Sequence, residues 1–270
     1  MTKKTKIAVE ASPEAATDVS EKNYITALAR GLSVMRAFAN QRSRLTLAEI
    51  SKLVGLPRAT VRRCLITLNR LGYIDTNGKY FRLTPQVLTL SQAYFSSNPL
   101  PHVAQPHIEQ VSAAVGESCS LSVLTGDEVV YIARSSRKRQ ASIHRDVGVN
   151  LPAYCTSMGR VLLADLPPAE LDAYFSRVQL KKFNHKTVTE EASLRKILAQ
   201  VRKADYCVID GELEYSLHAI AIPVRNAAGN IVAAINVSSE NSRTTVKQLQ
   251  TQALPVMRQA VSRIRSALVG

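Results

Sequence analysis

The sequence predicts an α+β protein: a winged helix-turn-helix domain, a linking helix, and a C-terminal α+β domain with an antiparallel sheet. Three observations carry this. Two short helical segments within residues 46–71 meet at a Gly-Leu-Pro turn, and a small hairpin follows at once. The cationic excess is concentrated there: residues 1–84 hold 15 Lys and Arg against 6 Asp and Glu, net +9, and the remaining residues hold 20 against 15, net +5. Beyond residue 98 short apolar runs alternate with helical patterns, as in an α+β domain.

Taken in order, residues 1–22 are rich in Lys, Ala, Ser and Glu with no apolar period, which predicts a disordered arm. Residues 25–40 predict a helix whose core stripe is Leu28, Leu32, Met35 and Phe38. Thr46 and Glu49 have the spacing of a capping box. The helix they open carries Leu47, Ile50 and Leu53 at turn spacing and stops at Gly55. Pro57 suits the first position of the next helix. That helix has Val61, Cys64, Leu65, Leu68 and Leu71 on one side, and Ala59, Arg62, Arg63, Ile66 and Arg70 on the other, with Arg58 and Thr60 flanking its first turn. Gly72 ends it. Tyr73–Asp75 and Tyr80–Leu83 read as strands about Asn77-Gly78, the dipeptide of a type I′ turn.

Helix, tight turn, arginine-bearing helix and wing over residues 23–84 together predict binding to double-stranded DNA. Arg58, Ala59, Thr60, Arg62 and Arg63 are expected at the major groove, where arginine can grip guanine O6 and N7. Arg44, Thr46, Lys79 and Arg82 are expected to hold phosphates or the groove edge. The plain alternative is a helical hairpin with a solvated basic face. A membrane-surface segment would need bulky apolar residues opposite lysines on a long helix, and none is visible.

Residues 85–97 predict a linking helix with Val87, Leu88, Leu90, Tyr94 and Phe95 around most of its circumference. Burial against a second copy of the chain, or against the chain's own second domain, would account for it. In residues 98–270, Asn98-Pro99-Leu100-Pro101 marks a break, and a helix continues from His107 to Val115. Strands are expected at Cys119–Leu124, Val129–Ala133, Ala141–His144 and Tyr206–Ile209, with an apolar hairpin at Leu217–Arg225 and Ile231–Val237. Helices are expected at Thr156–Leu166, Pro168–Phe175, Glu190–Lys203 and Arg243–Leu268, the last with Leu249, Val256, Ala260, Ile264 and Ala267 inward.

No Gly-x-Ser-x-Gly elbow, phosphate loop or dinucleotide fingerprint is present, and the five histidines lack metal spacing. The chain therefore reads as no enzyme, with no cofactor and no metal. Four scattered cysteines without a Cys-x-x-Cys pair, and no signal peptide, predict reduced thiols and a cytoplasmic location. The longest stretch without a charged residue, Leu83–Ile108, holds four prolines and cannot span a membrane.

Two segments have the character of a ligand pocket. The first runs through Leu151, Ala153, Tyr154, Cys155, Thr156, Ser157 and Met158, a loop entering a helix N-terminus and suited to an anion. The second is Asp210–Ile220, where Asp210, Glu212 and His218 adjoin Ala219 and the apolar strand. Arg134 and Arg160 are candidates to meet a ligand carboxylate. An apolar pocket ending in helix amides would suit a small aromatic or aliphatic carboxylate. For any single residue, loop or core packing is the plainer role.

The residues Leu56-Pro57-Arg58-Ala59-Thr60-Val61-Arg62-Arg63, Leu71-Gly72-Tyr73, the run from Leu151 to Ala164, and Ile220-Ala221-Ile222-Pro223-Val224 resemble the IclR family of bacterial transcriptional regulators. The resemblance covers essentially everything after residue 22. The Leu151–Ala164 run, with Tyr131–Ser135 before it, is similar to the PcaR/PcaU/PobR branch, which regulates aromatic-acid catabolism through the β-ketoadipate route. The resemblance implies a dimer, often a dimer of dimers, on a palindromic operator, and a GAF-like domain that binds a small organic-acid effector: protocatechuate, 4-hydroxybenzoate, β-ketoadipate or a relative. Asp210-Gly211-Glu212 and Ser216 depart from the acidic run and glycine common in the family, and Ala219 stands where others carry Cys or Ser. A C-terminal domain that only oligomerises is the alternative.

Overall fold

The computed structural model describes residues 23–39, 44–136, 146–240 and 244–268. The expected arm at 1–22 and strand at Ala141–His144 lie outside the described residues. The chain divides into two compact units between Leu90 and Ser91.

In the first unit, α1 (Thr26–Arg36) runs into a 3-10 turn at Ala37–Ala39, followed by β1 (Leu45–Thr46), α2 (Leu47–Val54), α3 (Arg58–Arg70), β2 (Ile74–Thr76) and β3 (Tyr80–Leu83). Thr46 and Glu49 close the capping box: each backbone amide is bonded by the other's side chain, at 2.8 and 3.3 Å. Gly55 ends α2 at φ +66°. Gly72, at φ +80°, ends α3 with paired bonds from Gly72 to Asn69 and from Tyr73 to Leu68, a Schellman arrangement only a left-handed residue permits. Pro57 precedes α3 as its N-cap instead of occupying the first helical position. The sheet order is β1-β3-β2, all antiparallel.

The core of this unit joins Val34, Phe38, Leu45, Ile50, Val61, Leu65, Leu68 and Ile74. It corrects the expected stripes at their outer ends. Leu28 and Leu32 are 60% and 45% exposed, because α1 buries its last turn and not its first. Leu53 and Leu71 are likewise exposed, each at the end of its helix. The wing is not a type I′ turn. Gly78 alone has positive φ, and the Asn77 carboxamide accepts the amides of Lys79 and Tyr80, an Asx turn that replaces the second left-handed residue.

Helix α4 (Leu88–Ser97), entered through a 3-10 turn at Pro85–Val87, buries none of its side chains fully. The second unit continues with α5 (Leu100–Val115), β4 (Ser118–Thr125), β5 (Glu128–Ser135), β6 (Asn150–Pro152), α6 (Ser157–Asp165), α7 (Pro168–Arg177), α8 (Glu191–Ala204), β7 (Cys207–Asp210), β8 (Leu217–Arg225), β9 (Ile231–Glu240) and α9 (Val246–Ala267). The expected break falls at Asn98 and Pro99, between α4 and α5, and α5 then begins at Leu100, earlier than His107: Pro101 sits in its first turn, where no amide donor is needed, and Pro106 is tolerated inside the helix on its exposed side. The six strands form one antiparallel sheet in the order β6-β5-β4-β9-β8-β7.

Strand alternation splits the apolar residues between two faces. Ile220, Ile222, Ile235 and Val237 pack under α5 and α9, against Ile108, Val111, Leu249, Met257 and Ile264. Met257 takes the inward place expected of Val256, and Ala267 is exposed. Tyr131, Ile209, Ala221 and Ala234 pack on the other face under α6 and α8, against Met158, Leu163 and Leu198. The candidate site lies on that second face.

Candidate functional site

Helix α6 is set down on the sheet with almost no clearance. A Cβ on Gly159 would stand 2.1 Å from the Ala153 carbonyl oxygen, so only glycine allows the Ala153–Thr156 turn to fold over the helix start. Thr156 caps the helix, its hydroxyl accepting the Gly159 amide at 3.2 Å, and the first helical bond runs from Arg160 N to Thr156 O. The amides of Ser157 and Met158 therefore stand ahead of the helical ladder, at the positive end of the helix dipole.

This helix start closes one side of a narrow recess of about 380 Å3, its solvent-open part included. Leu151, Cys155, Thr156, Ser157 and Met158 form that side, and Ala219 lies on its floor, all six expected from the sequence. The floor also contains Tyr131 from β5, Ile209 from β7, and Asn236 and Ser238 from β9. Leu213, Glu214 and Leu217, from the loop between β7 and β8 and the start of β8, close the far side. Two polar atoms are buried here without a hydrogen-bond partner among the described residues, Ser157 Oγ and Asn236 Oδ1. Among the described residues no Lys or Arg lines the recess, and the helix amides are the anion-attracting groups they supply there. Burial pushes the Cys155 thiol up to about 12, against the pull of Arg160, which keeps this wall uncharged at neutral pH.

The other expected effector residues stand behind or beside the recess. Ala153 is buried against Gly159. Tyr154 packs with Leu194 and donates its hydroxyl to the Lys181 carbonyl at 2.6 Å. Asp210 is bonded to Lys186 at 3.0 Å through one carboxylate oxygen, and His218 Nδ1 lies 2.9 Å from the other. The Arg134 guanidinium lies 5.7 Å from the centre of the Tyr131 ring, one residue removed from the recess. Arg160 is buried, bound to Glu212, and does not line the recess. Leu213, Glu214 and Leu217 fall within the expected Asp210–Ile220 segment, whereas Tyr131, Ile209, Asn236 and Ser238 were not among the expected effector residues. Asn236 carried a signal: a lone carboxamide within the apolar run Ile231–Val237.

In the first unit, Arg58, Ala59, Arg62 and Arg63 lie exposed on α3, with Ile66 among them at 48% exposure. Thr60 is half-buried and lines, with Arg63 and Leu28, a groove between α1 and α3. On the wing side the Arg44 guanidinium lies 4.5 Å, and the Lys79 ammonium 5.3 Å, from the centre of the Tyr80 ring. Arg82 is paired with Asp75 through Nε at 3.0 Å and Nη2 at 2.6 Å, and this holds the Asp75 carboxyl below the usual carboxylate range. The Thr46 hydroxyl and amide are both held by Glu49 in the capping box, so what Thr46 offers a phosphate is its place at the start of α2, not a free donor. Among the described residues no helix is long and apolar enough to cross a membrane, and no three His, Cys, Asp or Glu side chains are grouped to hold a metal ion.

Comparison with known proteins places both units in one family. Residues 27–78 match the IclR helix-turn-helix domain, and residues 92–266 match the C-terminal domain of bacterial transcriptional regulators of the IclR type. The chain is 43% identical over 238 residues to the Pca regulon regulatory protein of Pseudomonas putida, covering 88% of this chain and 82% of that one. It is 36% identical over 261 residues to the p-hydroxybenzoate hydroxylase transcriptional activator of Acinetobacter baylyi, covering 95% and 96%. An IclR homologue from Microbacterium hydrocarbonoxydans, crystallised with 4-hydroxybenzoate, superposes with a TM-score of 0.75 at 28% identity, over 90% of this chain and 98% of that one.

Proposed function

The chain belongs to the IclR family of bacterial transcriptional regulators, and from that premise we propose that it controls genes of aromatic-acid catabolism in response to a small organic acid bound in the α6 recess. The observation that carries the ligand is the pair of orphaned polar atoms, Ser157 Oγ and Asn236 Oδ1, at the mouth of a helix N-terminus in a recess whose other lining is mainly apolar, with Thr156, Glu214 and Ser238 as its further polar residues. Leaving a buried polar group unpaired costs about 1–3 kcal/mol. A ligand in the recess would give both atoms a partner. The effector carboxylate would take the Ser157 and Met158 amides, and its ring or chain would lie between Leu151, Met158, Ile209 and Leu217. A regulator of this kind acts on the operator in the cytoplasm.

At the DNA, Arg58, Arg62 and Arg63 would enter the major groove with Ala59 and Thr60 beside them, while Arg44, Thr46, Lys79 and Arg82 would hold the backbone and groove edge. A palindromic operator requires two such units, and the exposed Leu28, Leu32, Leu71, Leu88 and Leu90 supply an apolar surface for a second copy of the chain.

Thermal unfolding with 4-hydroxybenzoate, protocatechuate and β-ketoadipate tests the effector. A ligand at a hundred times its Kd adds about 2.7 kcal/mol to the folded state, a shift of roughly 5–10 °C for a unit of this size. Ser157→Ala should shrink the shift while leaving the ligand-free midpoint nearly unchanged. Absence of a shift with every acid would sink the reading.

A further inference from the structure

Arg160 and Glu212 do not line the recess, yet each belongs to a segment that does. Arg160 lies in the first turn of α6, just past Ser157 and Met158. Glu212 lies in the loop between β7 and β8, next to Leu213 and Glu214. Their side chains, 3% and 11% exposed, meet in a two-pronged contact: Nη1 to Oε1 at 2.7 Å and Nη2 to Oε2 at 2.6 Å. Arg160 is also bound back into its own wall, and Glu212 is bound to the loop between α7 and α8. Arg160 Nε donates to the Tyr154 carbonyl at 2.7 Å, and Glu212 Oε2 accepts the Val188 amide at 3.1 Å. The Glu212 carbonyl accepts Thr187 Oγ1 at 2.7 Å and Asn184 Nδ2 at 3.1 Å.

Stability alone is a poor reason for such a pair, because an apolar pair of the same volume often serves a folded core as well. What an apolar pair lacks is direction. The planar guanidinium and carboxylate admit one distance and one mutual orientation, so they fix the helix start against the loop. We propose that Arg160 and Glu212 are positioning residues, a clamp that sets the width of the effector recess. The proposal rests on the reading of that recess as the effector site.

Hydrogen exchange on the ligand-free full chain tests the clamp directly. Glu212→Gln should speed exchange of both 154–159 and 211–217, by about tenfold or more, with β8 and β9 unchanged. Loosening of one segment alone, or of neither, overturns the proposal. A second measurement separates positioning from stability. The double variant Arg160→Met, Glu212→Leu should keep the wild-type melting point and operator affinity but bind 4-hydroxybenzoate or protocatechuate at least about tenfold more weakly. Equal affinity for the acid overturns it. Should the double variant melt early, Arg160→Lys supplies the same comparison at retained charge. If the wild-type chain binds neither acid, the reading of the recess fails, while the exchange result still decides the clamp.

Discussion

Asp75 occupies the wing of a protein that must meet phosphates, and it neutralises Arg82, one of the cations there. That contact is present above the ordinary carboxylate pKa, because Arg82 lowers the Asp75 value, and it is lost as pH falls through the lowered one. Asp75→Asn should tighten binding to all DNA sequences and steepen the salt dependence by up to about one unit of slope, as one more cation displaces counterions. Lys79→Ala should do the reverse. Arg62→Ala should cost about 1–3 kcal/mol on the operator alone. Binding titrations on operator and random DNA over a salt series check all three, and identical behaviour of the Arg62 and Lys79 variants would dissolve the division between groove and backbone. The thiols give a separate test. Burial pushes Cys155 and Cys207 up to about 12 and raises Cys119 as well, whereas Cys64 is only half-buried. At pH 8 the native chain should react with about one equivalent of a thiol reagent, and with four in denaturant. Two or more fast equivalents in the native state would contradict the burial.

Among the elements, the helices were read from their ends more reliably than from their stripes. Capping boxes, glycine stops and Schellman bonds are local: Thr46, Glu49, Gly55 and Gly72 need only near neighbours, so their spacing carried over to the structure. Thr46→Ala should cost the first unit about 1 kcal/mol, measured by denaturant unfolding, because the Glu49 amide loses its acceptor. A cost near zero would mean that strand β1 holds the turn without the cap. Burial stripes depend on what lies opposite. Leu28, Leu32, Leu53 and Leu71 satisfy helical periodicity and are still exposed. Likewise Asn77-Gly78 marks a turn correctly but not its type, because the Asn77 side chain bonds the backbone in place of a second left-handed residue.

On the scale of the molecule, the exposed leucines are informative because they cluster: Leu28, Leu32 and Leu71 all line the groove between α1 and α3. Replacing Leu28 and Leu32 by Glu should turn a dimer into a monomer in sedimentation and lower operator affinity, with the secondary structure kept. A wild-type chain that sediments as a monomer would remove the dimer from the proposal.

The winged helix-turn-helix, the α+β class of the second unit and one wall of the recess were legible in the amino-acid order, since caps, turn residues and alternation are contacts within a few residues of each other. Only the tertiary structure decided the rest of the site. Tyr131, Ile209, Asn236 and Ser238 come from three strands, and no pattern along the chain announces which floor residues adjoin a helix start. Arg160 shows the difference most plainly. By sequence it was a free cation beside a pocket, but the fold brings Glu212 from 52 residues away and turns it from a ligand contact into a brace.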